Sequence, residues 1–128
     1  MLVLFYGSLK RGGYNHYRLN VSQSGMFVAN AVTREPYFMA SFGSYPAVMV
    51  PTKEFPGELI HGELWEMPAE AMEPIRRMEI GAGYEEKSIM VETKEGSNTA
   101  LVYIHKGVPS STYKEVVGGL WDATGKNN

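Results

Sequence analysis

The sequence predicts an α+β fold, a small mixed or antiparallel β-barrel with short helices, one of them dominant. Three observations predict it. Short apolar runs recur along the chain, separated by turn residues, with 14 Gly and 7 Pro in 128 residues. Sustained helical periodicity occurs in one stretch only, near residue 70. Strands and helices do not alternate as βαβ units, which disfavours a doubly wound parallel sheet. The length suits one domain with an ordinary core, residues 1–128, with 105–128 set apart as a C-terminal extension.

Taken in order, residues 2–6 are an apolar run stopped by Gly7-Ser8 and predict a buried first strand ending in a turn. Residues 10–13 are loop. Residues 16–21 predict a helical turn or two, with Asn15 as its cap. Strands are predicted over 27–34, 37–42 and 47–50, because Glu35-Pro36, Gly43-Ser44 and Tyr45-Pro46 between them have turn chemistry. Residues 59–67 alternate polar and apolar and predict a half-exposed strand.

The main helix is predicted over 69–78. Met72, Ile75 and Met78 fall on one face, and Pro68 suits the first turn. Pro74 lacks the N–H that would reach residue 70, so a kink or a second short helix is expected there. Gly81 and Gly83 end the segment. Residues 88–93 and 98–104 predict a hairpin around 94–97. Thr112 and Glu115 have capping-box spacing and predict a last short helix stopped by Gly118-Gly119. Residues 125–128 are expected to fray.

Composition excludes several functions. The net charge is −2 and the basic residues are scattered, so no nucleic-acid partner is expected. There is no cysteine, hence no disulfide, thiolate metal site or Cys nucleophile. That fits a reducing, cytoplasmic location. The first residues read neither as a signal peptide nor as a membrane span. Asp122 is the only Asp, and no phosphate-binding glycine motif is present, which argues against nucleotide chemistry.

Among single residues, Ser8 follows the first strand but lacks a nucleophile-elbow context, so it reads as a turn residue rather than a hydrolase nucleophile. His16, His61 and His105 are isolated and read as structural. Tyr6, Tyr14, Tyr17, Tyr37, Tyr45, Tyr84 and Tyr103 are candidates to line a pocket. Met26, Met39, Met49, Met72, Met78 and Met90 read as core filling. Glu79 sits at the expected helix C-terminus. There the helix dipole, together with burial against Met78 and Ile80, raises its proton affinity toward that of a base useful near neutral pH. Its alternative is a solvated terminal carboxylate. Glu85-Glu86 read as a solvated pair.

Phe5-Tyr6-Gly7-Ser8-Leu9-Lys10-Arg11-Gly12, followed by Asn15-His16, resembles the opening of the γ-glutamylcyclotransferase-like family, and within it the γ-glutamylamine cyclotransferases. Glu35-Pro36-Tyr37, Tyr45-Pro46-Ala47, Gly57, Gly62-Glu63-Leu64-Trp65, Met78-Glu79 and Tyr84 match in order, over roughly residues 2–104. The resemblance implies a mixed β-barrel and Glu79 as catalytic acid/base. It implies a head-group loop of Tyr6, Gly7, Ser8 and Leu9 and a substrate-binding Tyr84, with no metal and no cofactor.

It also implies a small-molecule γ-glutamyl substrate, a γ-glutamyl amine such as γ-glutamyl-lysine, closed to 5-oxoproline with release of the amine. Ser8 stands where the amine-acting branch commonly has Thr, and Glu86 where relatives often have Arg. The alternatives are a non-catalytic γ-glutamyl-binding module, a Ser8 hydrolase, and an interaction protein without a pocket. The sequence fixes no oligomeric state.

Overall fold

The computed structural model describes residues 1–125. In chain order the elements are β1 (Leu2–Phe5), α1 (Tyr14–Arg18), α2 (Val21–Ser24), β2 (Met26–Ser41) and β3 (Pro46–Met49). They continue with β4 (Glu58–Glu66), α3 (Ala69–Gly81), β5 (Tyr84–Thr93), β6 (Gly96–His105) and β7 (Lys114–Glu115). Hydrogen bonding runs β1-β4-β2-β3-β6 and returns from β6 to β1, closing a five-stranded mixed barrel. The fold is α+β, as the sequence predicts. β5 pairs with β6 along its length and also touches β2.

β1 is apolar throughout because both its faces are covered. Val3 and Phe5 enter one core cluster, with Trp65, Met72 and Ile75. Leu4 and Tyr6 enter the other, with Ile60, Leu64 and Trp121.

Several expectations are corrected. The two strands expected on either side of Glu35-Pro36 are one strand, β2. Pro36 lies at a register shift against β4, where an absent N–H is tolerated. Buried Thr33 repairs the ladder there: its Oγ1 accepts the Ile60 N–H (2.9 Å) and donates to the Glu35 carbonyl (2.7 Å). β4 is half exposed over residues 58–61 and exposed at Glu66, whereas Gly62 through Trp65 are buried.

α3 is a single helix through Pro74, and the carbonyl left without a donor belongs to exposed Glu70, where solvent reaches it. Pro68 is its N-cap rather than its first helical residue. The helix expected from Thr112 is absent: residues 114–115 pair with β2, and the Val116 N–H reaches the Met39 carbonyl (2.8 Å). An available strand edge outcompetes one weak capping pattern. The expected extension therefore packs on the barrel, with Trp121 in the second cluster. Met26 is 68 % exposed rather than core. Of the expected frayed tail, 126–128 lie outside the described residues.

Candidate active site

β1 ends at Phe5, and the chain turns at once: the Lys10 N–H bonds the Gly7 carbonyl and the Gly13 N–H the Lys10 carbonyl. The following helix clamps this loop. The His16 N–H donates to the Ser8 carbonyl (3.0 Å), and the Asn15 amide donates to Ser8 Oγ (2.7 Å). His16 Nδ1 lies 2.8 Å from the Leu9 carbonyl, which only a protonated Nδ1 can satisfy, and Nε2 faces Ser22 Oγ. Asn15 is therefore a loop clamp inside α1 and not its cap, which is Gly13. His16 is a buried, satisfied structural histidine. The N–H groups of Ser8 and Leu9 donate to no protein acceptor among the described residues.

Glu63 fastens the loop to the barrel. Its buried carboxylate accepts the Arg11 N–H (2.9 Å), Arg11 Nε (3.2 Å) and Trp65 Nε1 (3.1 Å). Lys10 Nζ reaches the Trp121 carbonyl, tying the loop to the C-terminal segment. Burial pulls the Lys10 pKa below its ordinary value, against the opposing charges of Glu63 and Asp122. Sequence reasoning missed the anchoring role of Glu63, although it lies in a stretch that matched the family. Glu63→Ala leaves the Trp65 and Arg11 N–H groups without this acceptor, so a loss of about 3 kcal/mol is expected as a lowered urea midpoint.

The loop forms one wall of a cavity of about 350 Å³. Tyr6, Gly7, Ser8, Leu9, Glu79 and Tyr84, 78 residues apart at the extremes, all line it. Tyr14, Tyr45 and Tyr103 line it too, whereas Tyr17 and Tyr37 do not. Met78, read as core filling, is half-buried on its wall, and Ser44, Pro46 and Ala82 were not anticipated.

Tyr6 and Tyr84 fix the walls to each other. The Tyr6 hydroxyl donates to the Tyr103 carbonyl (2.7 Å), and the Tyr84 hydroxyl donates to the Pro46 carbonyl (2.8 Å). Burial raises the pKa of all three phenols Tyr6, Tyr84 and Tyr103, with Glu86 adding to it at Tyr103 and the Glu79 charge at each, which keeps them as donors.

Glu79 enters from the last turn of α3. Its carbonyl accepts the Ala82 N–H that ends the helix. Burial pushes its carboxyl up to about 7. Ile80 does not supply that burial, being 52 % exposed. Glu86 is no solvated carboxylate either: it accepts Arg76 Nε (2.5 Å) and the Tyr103 hydroxyl (3.0 Å). Arg76 brings this guanidinium from α3. Glu85 pairs with Lys87 at the surface. No cluster of three or more His, Asp or Glu among the described residues is arranged to hold a metal ion. No helix among them is long and apolar enough to cross a membrane.

The family described as gamma-glutamyl cyclotransferase, AIG2-like, matches residues 3–123. The chain belongs to this family. Its match runs past residue 104, where the sequence resemblance ends. YkqA from Bacillus subtilis is 26 % identical with a TM-score of 0.72, over 94 % of this chain and 39 % of that one. This chain thus spans well under half the length of YkqA.

An AIG2-like protein from Mus musculus is 21 % identical with a TM-score of 0.69, over 99 % and 97 % of the two chains. A structure named gamma-glutamyl cyclotransferase is 18 % identical with a TM-score of 0.61, over 89 % and 68 %. These last two likenesses establish the shared fold. No curated protein matches the sequence significantly.

Proposed function

We propose that the chain is a γ-glutamylamine cyclotransferase, with Glu79 as general acid/base. The observation that carries this reading is one cavity lined both by a carboxyl that burial raises to about 7 and by a loop whose Ser8 and Leu9 N–H groups have no protein acceptor among the described residues.

The reaction needs no enzyme nucleophile, because the α-amine of the substrate attacks its own γ-carbonyl. Five-membered closure already holds the two groups close, and the cavity selects the attacking conformer. Glu79 takes a proton from the α-ammonium, the new N–C bond forms, and Glu79 returns a proton to the departing nitrogen as its C–N bond breaks. The remaining ammonium proton leaves to solvent, and the freed amine regains one from solvent. Backbone N–H groups of Ser8 and Leu9 hold the substrate carboxylate or the developing oxyanion, where fixed donors act most strongly. Tyr84 binds as part of the wall that it bonds to Pro46.

Incubation with a γ-glutamyl amine is expected to yield 5-oxoproline and free amine in equal amounts. No 5-oxoproline from γ-glutamyl amines, dipeptides or glutathione overturns the reading. The pH profile follows from the raised carboxyl. The base form of Glu79 is required, so kcat/KM rises with pH and levels off above about 7, the value that burial gives the free enzyme. A rise centred near 4.5 would mean that the base is a solvated carboxylate instead.

A further inference from the structure

We infer that the leaving-group end of the cavity takes a neutral aromatic or apolar amine and disfavours one that carries a second cation. This rests on the cyclotransferase reading, which assigns the glutamyl end to the Tyr6–Leu9 loop and Glu79.

The rest of the wall includes Tyr14, Tyr45, Pro46, Met78 and Ala82, with Ser44 and Asn15 as small polar groups. Tyr14 is 73 % exposed and Tyr45 is 41 % exposed, yet both line the cavity. Large aromatic surface left in water beside a cavity marks a contact surface for a ligand. The two rings come from separate elements, α1 and the turn between β2 and β3, and both border the same cavity.

Charge points the same way. Glu79 is the one carboxylate lining the cavity among the described residues, and the reaction uses it. A second ammonium on the amine would meet no other acid there, and burying an unpaired cation is costly. Arg18 adds repulsion. Its guanidinium lies 5.9 Å from the Tyr14 ring centre, its Nε donates to Asn15 Oδ1 (3.0 Å), and Nη2 is 3.1 Å from the Met78 sulfur. All three partners line the cavity, and no carboxylate among the described residues forms an ion pair with Arg18. An aromatic mouth can in principle hold a cation over a ring face. Here Arg18 already stands at Tyr14.

The test compares three substrates: γ-glutamylbenzylamine, γ-glutamyl-diaminobutane and γ-glutamylmethylamine. The benzylamine compound is expected to exceed the diaminobutane compound in kcat/KM by about tenfold or more. Tyr14→Ala and Tyr45→Ala should each lower the benzylamine-to-methylamine ratio severalfold through KM. Arg18→Gln should raise turnover of the diaminobutane compound. A diaminobutane compound equal to or better than the benzylamine one overturns the inference while leaving the cyclotransferase standing. No 5-oxoproline from any of the three, the small methylamine compound included, overturns the cyclotransferase reading itself and this inference with it.

Discussion

Glu79→Gln is expected to lower kcat by about 10⁴-fold, the upper end of what general acid–base assistance supplies, because one carboxyl serves both proton transfers. The amide keeps the shape of the side chain and cannot take the ammonium proton. KM should change little, since the glutamyl head group rests on backbone groups of the Tyr6–Leu9 loop. A γ-glutamyl ligand should therefore still raise the melting temperature of the variant. Glu85→Gln is the matched control, because Glu85 sits at the surface with Lys87. Glu86 is unsuitable as a control, because it holds the hydroxyl of Tyr103, which lines the cavity. Near-native turnover in Glu79→Gln with a dead Glu85→Gln would move the base elsewhere.

The same substitution has a pH signature in stability. Burial raises the Glu79 carboxyl from 4.5 to about 7. Below 4.5 it is protonated both folded and unfolded, and an amide is an equivalent neutral group. Between 4.5 and 7 the folded state binds more protons than the unfolded state, so wild-type stability falls as pH rises through this window. Above 7 the loss is complete and amounts to at most about 3 kcal/mol. Glu79→Gln should match wild type near pH 4 and melt higher near pH 8. A catalytic base held away from water thus costs stability at the pH where it works.

The stripe Met72, Ile75 and Met78 is enough to place α3; the position of Glu79 just before the terminal glycines marks it as a candidate, but only the family resemblance sets it ahead of a solvated carboxylate. Periodicity could not bring Glu79 to Ser8 and Leu9, since nothing local encodes a meeting across seventy residues; that proximity follows from barrel closure. The same limit explains the errors. Thr112 and Glu115 carry a local helix signal, but the edge of β2 offers backbone partners that a capping box cannot know about. Pro36 reads as a strand break because the repair by Thr33 depends on Ile60 in another strand. Glu63 sat in an alternating pattern that suggested one solvated face, whereas the loop at 10–11 and the Trp65 indole turn that face into a buried anchor.

Gly13→Ala is expected to lower kcat/KM by about 10²-fold or more, although residue 13 touches no substrate in the proposed scheme. Its backbone is ordinary, with φ −86° and ψ 155°, so a side chain meets no torsional objection. The obstacle is contact: a Cβ at residue 13 would stand 2.1 Å from the Ser8 carbonyl oxygen and 2.6 Å from its carbon. These are backbone atoms, and that oxygen is held by the His16 N–H, so neither side yields without opening the loop. The N–H groups of Ser8 and Leu9 then leave their places by something near an ångström, a displacement that costs about 10²-fold in a positioned reaction. The barrel lies outside the disturbance, and a stability loss of about 1–3 kcal/mol is the usual consequence of such crowding. Gly81→Ala is the comparison, since its Cβ meets nothing within 4 Å and it occupies a helical position. That variant should keep its activity and gain slightly in stability. The two loss-of-activity variants separate by binding: ligand still raises the melting temperature of Glu79→Gln, while Gly13→Ala loses that shift. A folded Gly13→Ala protein with native kcat/KM would place the glutamyl head group somewhere other than this loop.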